Sequence, residues 1–91
     1  MIKSFGDKDT KELYELRWVK RFAGFERQAR RRLRLLNDAK TLTDLSVLPS
    51  NQLEALKGDR RGQYSIRIND QWRIVFVWQD GAQEVEVIDY H

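Results

Sequence analysis

The run from Gln63 to Tyr90 leaves few choices of fold. Tyr64, Ile66 and Ile68 alternate with Ser65, Arg67 and Asn69, and Trp72, Ile74, Phe76 and Trp78 alternate with Arg73, Val75 and Val77. A period of two marks strands with one buried face. Asn69-Asp70-Gln71 supplies one turn. Asp80-Gly81 supplies the next, because such a pair accepts the positive φ of a tight hairpin. A last strand is expected from about Gln83 to Tyr90. In an antiparallel meander the large residues pack on helices and the other face stays open. That open face then carries Arg67 and Arg73. Val85 and Val87 match the core face, and Glu84, Glu86, Ile88 and Tyr90 the open one. Arg73 and Tyr90 are expected to meet there.

The first half of the chain reads as helices. Ile2, Ser4 and Phe5 predict a short first strand ended by Gly6-Asp7. Asp9 is expected to cap a helix, with Glu12 three residues on and Leu13 and Leu16 buried. Trp18 and Phe22 lead into a longer helix, roughly Phe22 to Ala39, whose apolar positions Phe22, Phe25, Ala29, Leu33 and Leu36 share one face. Trp72 and Trp78 read as core residues by their strand spacing, and the place of Trp18 is left open. Thr41 and Asp44 have capping-box spacing, and the short helix they open ends before Pro49. Leu53–Lys57 is expected to be a short strand or an ordered loop. The expected architecture is α+β, with an N-terminal strand and helices packed on one face of a small antiparallel sheet.

Ninety-one residues predict a single domain spanning 1–91. Hydrophobic residues make up 41% and charged residues 34%, with a net charge of +3. That composition is not that of a disordered chain. There is no cysteine, so no thiolate metal site is expected, and neither a signal peptide nor a membrane-spanning run is evident. The expected location is the cytoplasm. No phosphate-loop, zinc-pair or nucleophile-elbow motif is present, so any phosphate chemistry is expected to need neither metal nor cofactor.

Four features can carry chemistry. Asp89-Tyr90-His91 ends the chain with its one histidine, a ring that exchanges protons near neutral pH; the plain alternative is a frayed terminus. The loop Lys57-Gly58-Asp59-Arg60-Arg61-Gly62 offers Lys57, Arg60 and Arg61 to phosphate, or is a solvated hairpin loop. Arg73 suits two phosphate oxygens, or pairs with Glu84 or Glu86 across the sheet. Finally, Arg17, Lys20, Arg21, Arg27, Arg30, Arg31, Arg32 and Arg34 face one acid, Glu26, in that stretch. Arg27, Arg30, Arg31 and Arg34 are candidates for contact with RNA or an acidic partner, the alternative being a solvated helix face.

The strings Leu53-Glu-Ala-Leu-Lys-Gly-Asp-Arg, Gly62-Gln-Tyr-Ser-Ile-Arg-Ile-Asn, Gln71-Trp-Arg-Ile-Val-Phe and Val87-Ile-Asp-Tyr-His91, in that order, resemble the HigB type of toxin in the RelE/ParE superfamily. The resemblance covers essentially the whole chain. It implies a toxin of a toxin–antitoxin system, partnered by a HigA-like helix-turn-helix antitoxin through which DNA is met only indirectly. It also implies ribosome-dependent cleavage of messenger RNA by attack of the ribose 2′-hydroxyl on the adjacent phosphate. By motif, Asp89, Tyr90 and His91 fall on the family's polar ending, Arg73 on its W-R-I arginine and Lys57 on the lysine of L-K-G. Where some members carry a histidine, this chain has Glu54. His91 is thus the expected acid or base, with Tyr90 or Glu54 sharing proton transfer, Asp89 orienting, and Arg73, Lys57 and Arg67 holding phosphate. Two alternatives share the fold: a non-enzymatic inhibitor of gyrase, and a degenerate toxin that only binds its antitoxin.

Overall fold

The computed structural model describes residues 1–90. Three helices, α1 (Lys8–Tyr14), α2 (Glu26–Asp38) and α3 (Leu42–Ser46), precede four strands, β1 (Glu54–Ala55), β2 (Gln63–Arg67), β3 (Trp72–Trp78) and β4 (Ala82–Asp89). The strands form an antiparallel sheet in chain order. The segment before α1 lies along the far edge of β4, joined by parallel bridges from Ile2 to Ala82 and from Phe5 to Val85. That edge is covered further on as well: Val87 donates to the Thr10 hydroxyl and accepts from Arg21. An exposed strand edge invites pairing with other chains, and this one is closed.

The alternation read from the sequence sets the core face. Ile66, Ile68, Ile74, Phe76, Val85 and Val87 pack against Leu13, Phe22, Ala29, Leu33 and Leu36, with Tyr64, Trp72 and Trp78 half-buried at the margin. Each fully buried large side chain contributes roughly 1.5–3 kcal/mol relative to an exposed one. Asp80 and Gly81 both take positive φ, as the hairpin requires. The second face is not open along its length, because Ser65, Arg73 and Val75 are buried on it.

Several local expectations are corrected. Asp7, not Asp9, caps α1, its carboxylate accepting from the Thr10 amide at 2.6 Å. Asp9 instead forms an ion pair with Arg21 at 3.6 Å. Leu13 is buried, but Leu16 takes a φ of 68° beyond the end of α1 and is 64% exposed. Trp18 is 66% exposed, so it is not a core residue. The long helix begins at Glu26, not Phe22; Lys20–Phe22 form a separate 3₁₀ turn, and Gly24 at φ 94° breaks the path between them. Both hydrogen bonds of the Thr41–Asp44 capping box are present. Between Val75 and Val77 of β3 the register of β4 slips by one residue. Glu84 sits in this bulge at φ 52°, outside the regular alternation that had placed it on the open face.

Candidate active site

The site is built on the second face of the sheet, at the end where β4 finishes. Arg73 lies opposite Arg67 on β2 and Ile88 on β4. Two cations facing each other across strands repel. The two side chains diverge: Arg67 turns along its own chain to form an ion pair with Asp70, and Arg73 turns inward. Tyr90 is two residues beyond Ile88 and shares its face. Its amide donates to the Gln71 carbonyl at 2.6 Å, which carries the β4 pairing one residue past Asp89. The ring centroid then lies 5.5 Å from the Arg73 guanidinium carbon. The meeting of Arg73 and Tyr90 expected from strand parity is present.

Arg73 is only 7% exposed, and each guanidinium nitrogen has a partner. Nε donates to the Ser65 hydroxyl at 2.9 Å, one terminal nitrogen donates to the Gln52 carbonyl, and the other lies 3.3 Å from a Glu54 carboxylate oxygen. The expected partners across the sheet, Glu84 and Glu86, are replaced by Glu54. The reason is topological. Glu54 pairs with Ser65 in register, so it stands on the face of Arg73, diagonal to it. β1 is two residues long, and the chain is irregular again by Lys57, which precedes a 3₁₀ turn over Gly58–Arg60.

An open depression of about 400 Å³ adjoins this cluster, lined by Arg60, Ile88, Asp89 and Tyr90. Its size falls within the range of roughly 300–1,000 Å³ usual for small-ligand pockets. Arg60 is exposed and donates to the Gln63 side chain at 3.1 Å. Asp89 accepts from the Gln71 side chain at 3.0 Å. Lys57 and Arg61 are exposed in the same loop as Arg60. His91 lies outside the described residues. A phenol, a carboxylate and an arginine line the depression, and the Arg73–Glu54 pair stands behind the Tyr90 ring; together they can bind an anion and move a proton.

The helix arginines do not join this cluster. α2 lies on the core face of the sheet, so its outer surface points away from the second face. There Arg27, Arg30, Arg31 and Arg34 line a separate groove of about 440 Å³ with Leu35 and Asp38. Arg30 has structural work: it donates to the carbonyls of Leu13 and Arg17, both at 2.9 Å, tying α2 to the end of α1. Arg32 reaches Asn51. Burial, then the charges of Arg31 and Arg67, hold its pKa below the usual arginine value.

Sequence reasoning missed Ser65, Gln52 and Gln71. Ser65 was legible in part, as a small polar residue at a strand position sharing the face of Arg73. Gln52 acts through its backbone carbonyl, in a left-handed conformation at φ 45° after the turn at Pro49. Nothing in its side chain signals that.

A family model described as the RelE-like toxin of the type II toxin–antitoxin system HigB matches residues 3–91. Toxin HigB-1 of Vibrio cholerae serotype O1 is 34% identical over 93 residues, covering 100% of this chain and 98% of that protein. Among solved structures, the YoeB–YefM complex from Staphylococcus aureus contains a chain with the same fold at a TM-score of 0.62, 17% identical, covering 100% of this chain and 98% of that one.

Proposed function

The chain belongs to the HigB-like family of RelE-like toxins of type II toxin–antitoxin systems, and from that premise we propose that it is an endoribonuclease that cuts messenger RNA on the ribosome. The observation that carries the reading is the stacking of Tyr90 on the buried Arg73 beside a depression rimmed by Arg60. The groove on α2 also sets cations around a carboxylate, Asp38, but it has no phenol, whereas Tyr90 lines the depression beside Arg73.

In this reading the ribose 2′-hydroxyl of the substrate attacks the adjacent phosphorus. The new bond joins the 2′-oxygen to phosphorus, and the bond to the 5′-oxygen breaks. A base takes the 2′-hydroxyl proton, and an acid gives a proton to the departing 5′-oxygen. The products are a 2′,3′-cyclic phosphate and a 5′-hydroxyl. His91, next in sequence to Tyr90 and the chain's one imidazole, is assigned the proton transfer at neutral pH, with the Tyr90 phenol as its partner and Asp89 orienting them. Acid or base help of this kind is worth roughly 10²–10⁴-fold. Lys57, Arg60, Arg61 and Arg67 supply positive charge toward the phosphate, which gains negative charge at the transition state.

The family and the toxin–antitoxin fold neighbour support an antitoxin partner. We assign it the HigA-like helix-turn-helix type, with DNA contact through the antitoxin alone. The test is expression without antitoxin, followed by mapping of messenger 5′ ends. New ends within translated regions, absent with an Arg60→Ala, Tyr90→Phe double variant, are expected. Intact messengers with DNA breaks and arrested supercoiling would replace this reading with a gyrase inhibitor, and normal growth with folded protein would replace it with a degenerate toxin.

A further inference from the structure

We infer that the Glu54 carboxylate occupies the place of a substrate phosphate on Arg73, so that a phosphodiester enters the site by exchanging with it. The identity of the phosphodiester rests on the nuclease reading; the anion site itself does not.

The two partners of this ion pair are unequal. The Arg73 side chain is 8% exposed and the Glu54 side chain 52%. A buried guanidinium stripped of its counter-charge is strongly destabilising. A half-exposed carboxylate released into water loses little, since pairs with one foot in solvent are weakly held. Arg73 therefore requires an anion, while Glu54 is free to leave. The other two contacts of the guanidinium are neutral acceptors, the Ser65 hydroxyl and the Gln52 carbonyl. They fix its plane and leave one terminal nitrogen for the charged partner. A carboxylate and a phosphodiester offer that nitrogen the same thing, an anionic oxygen at hydrogen-bond distance. Glu54 stands on a two-residue strand at the sheet edge, and Arg73 is the one partner its carboxylate has among the described residues. A change of its side-chain rotamer uncovers the nitrogen without disturbing the sheet. Glu54 is thus a determinant of substrate affinity, and not the base of the reaction.

The test measures binding of a 2′-O-methyl RNA trinucleotide, which cannot be cut, and of inorganic phosphate. The chains compared are the native protein, Glu54→Gln, Glu54→Ala and Asp59→Asn. Asp59 is an exposed acid in the neighbouring loop and is not among the partners of Arg73, so it controls for the general loss of negative charge. Both Glu54 variants are expected to bind the two probes roughly two- to fivefold more tightly, the range of an ion pair of this exposure. The side-chain nitrogen resonances of Arg73 should shift at correspondingly lower phosphate concentration. Asp59→Asn should change affinity less than twofold. Unchanged or weaker binding by folded Glu54→Gln and Glu54→Ala overturns the inference, as does an equal gain in Asp59→Asn. If the native chain cuts messenger RNA and the gain is missing, the exchange fails and the nuclease reading stands. If the gain appears in a chain that cuts no RNA, the reverse holds.

Discussion

The Arg73 guanidinium carbon lies 5.5 Å from the centroid of the Tyr90 ring. A cation over an aromatic face contributes roughly 0.5–1 kcal/mol when exposed and more when desolvated. The ring and the hydroxyl of Tyr90 therefore have separable roles. Tyr90→Phe keeps the ring and should leave stability within about 0.5 kcal/mol of native in urea titration. Cleavage on ribosomes should fall by roughly 10²-fold or more if the phenol moves a proton. Equal cleavage by the two proteins would confine Tyr90 to holding Arg73.

Ser65 is completely buried, and its hydroxyl accepts from Arg73 Nε. Ser65→Ala leaves that N–H without its acceptor in a closed space. The expected cost is about 1–3 kcal/mol, read as a shift in the urea midpoint. A change below about 0.5 kcal/mol would mean that Arg73 finds another acceptor by a small rotation.

The arginines of α2 divide into two kinds. Arg30 bonds two backbone carbonyls at the end of α1, whereas Arg27 and Arg34 are exposed with no ion pair among the described residues. Arg30→Ala should destabilise the fold by roughly 1–2 kcal/mol, since each of its two hydrogen bonds comes from a charged donor. Arg27→Ala and Arg34→Ala should stay within about 0.5 kcal/mol of native. Thermal unfolding of the three variants under one buffer separates them.

These residues also show what the sequence could and could not convey. Strand alternation placed Phe76 in the core and Arg73 beside Tyr90, because a period of two is a local property. Thr41 and Asp44 announced their capping box for the same reason. The start of α2 was misplaced because Phe22 fits the helical stripe of Phe25 and Ala29 while belonging to a separate 3₁₀ turn; the break at Gly24 outweighs the periodicity. Glu54 was visible as a departure from the histidine that the resemblance gives to some members. Its pairing with Arg73 was not, since it depends on the register of a two-residue strand. Ser65 and Gln52 matter through contacts made eight and twenty-one residues away, a range over which neither composition nor spacing reports.

Asp44 gives the fold a pH dependence of known sign. Hydrogen bonds from the Lys40 and Thr41 amides hold its carboxyl below the ordinary aspartate pKa. The unfolded chain therefore takes up the proton first as pH falls. The stabilisation is present above the unfolded value of roughly 3.9 and is lost as pH drops through the folded one. A carboxyl-carbon titration of the folded protein should show a midpoint below that of an unstructured aspartate. The stability gap between native protein and Asp44→Ala should narrow over the same pH interval. A midpoint at or above the ordinary value would show that the capping box does not form in solution.

The proposed cutting of messenger RNA by attack of the 2′-hydroxyl is open to direct measurement. The most direct measurement places the purified protein on ribosomes stalled with a defined messenger in the decoding site and identifies the new ends. A 2′,3′-cyclic phosphate on one fragment and a 5′-hydroxyl on the other are predicted, with cleavage abolished by a single 2′-deoxy substitution at the cut nucleotide and reduced by His91→Gln. An uncut messenger, or cleavage that survives the 2′-deoxy substitution, would rule out attack by the 2′-hydroxyl.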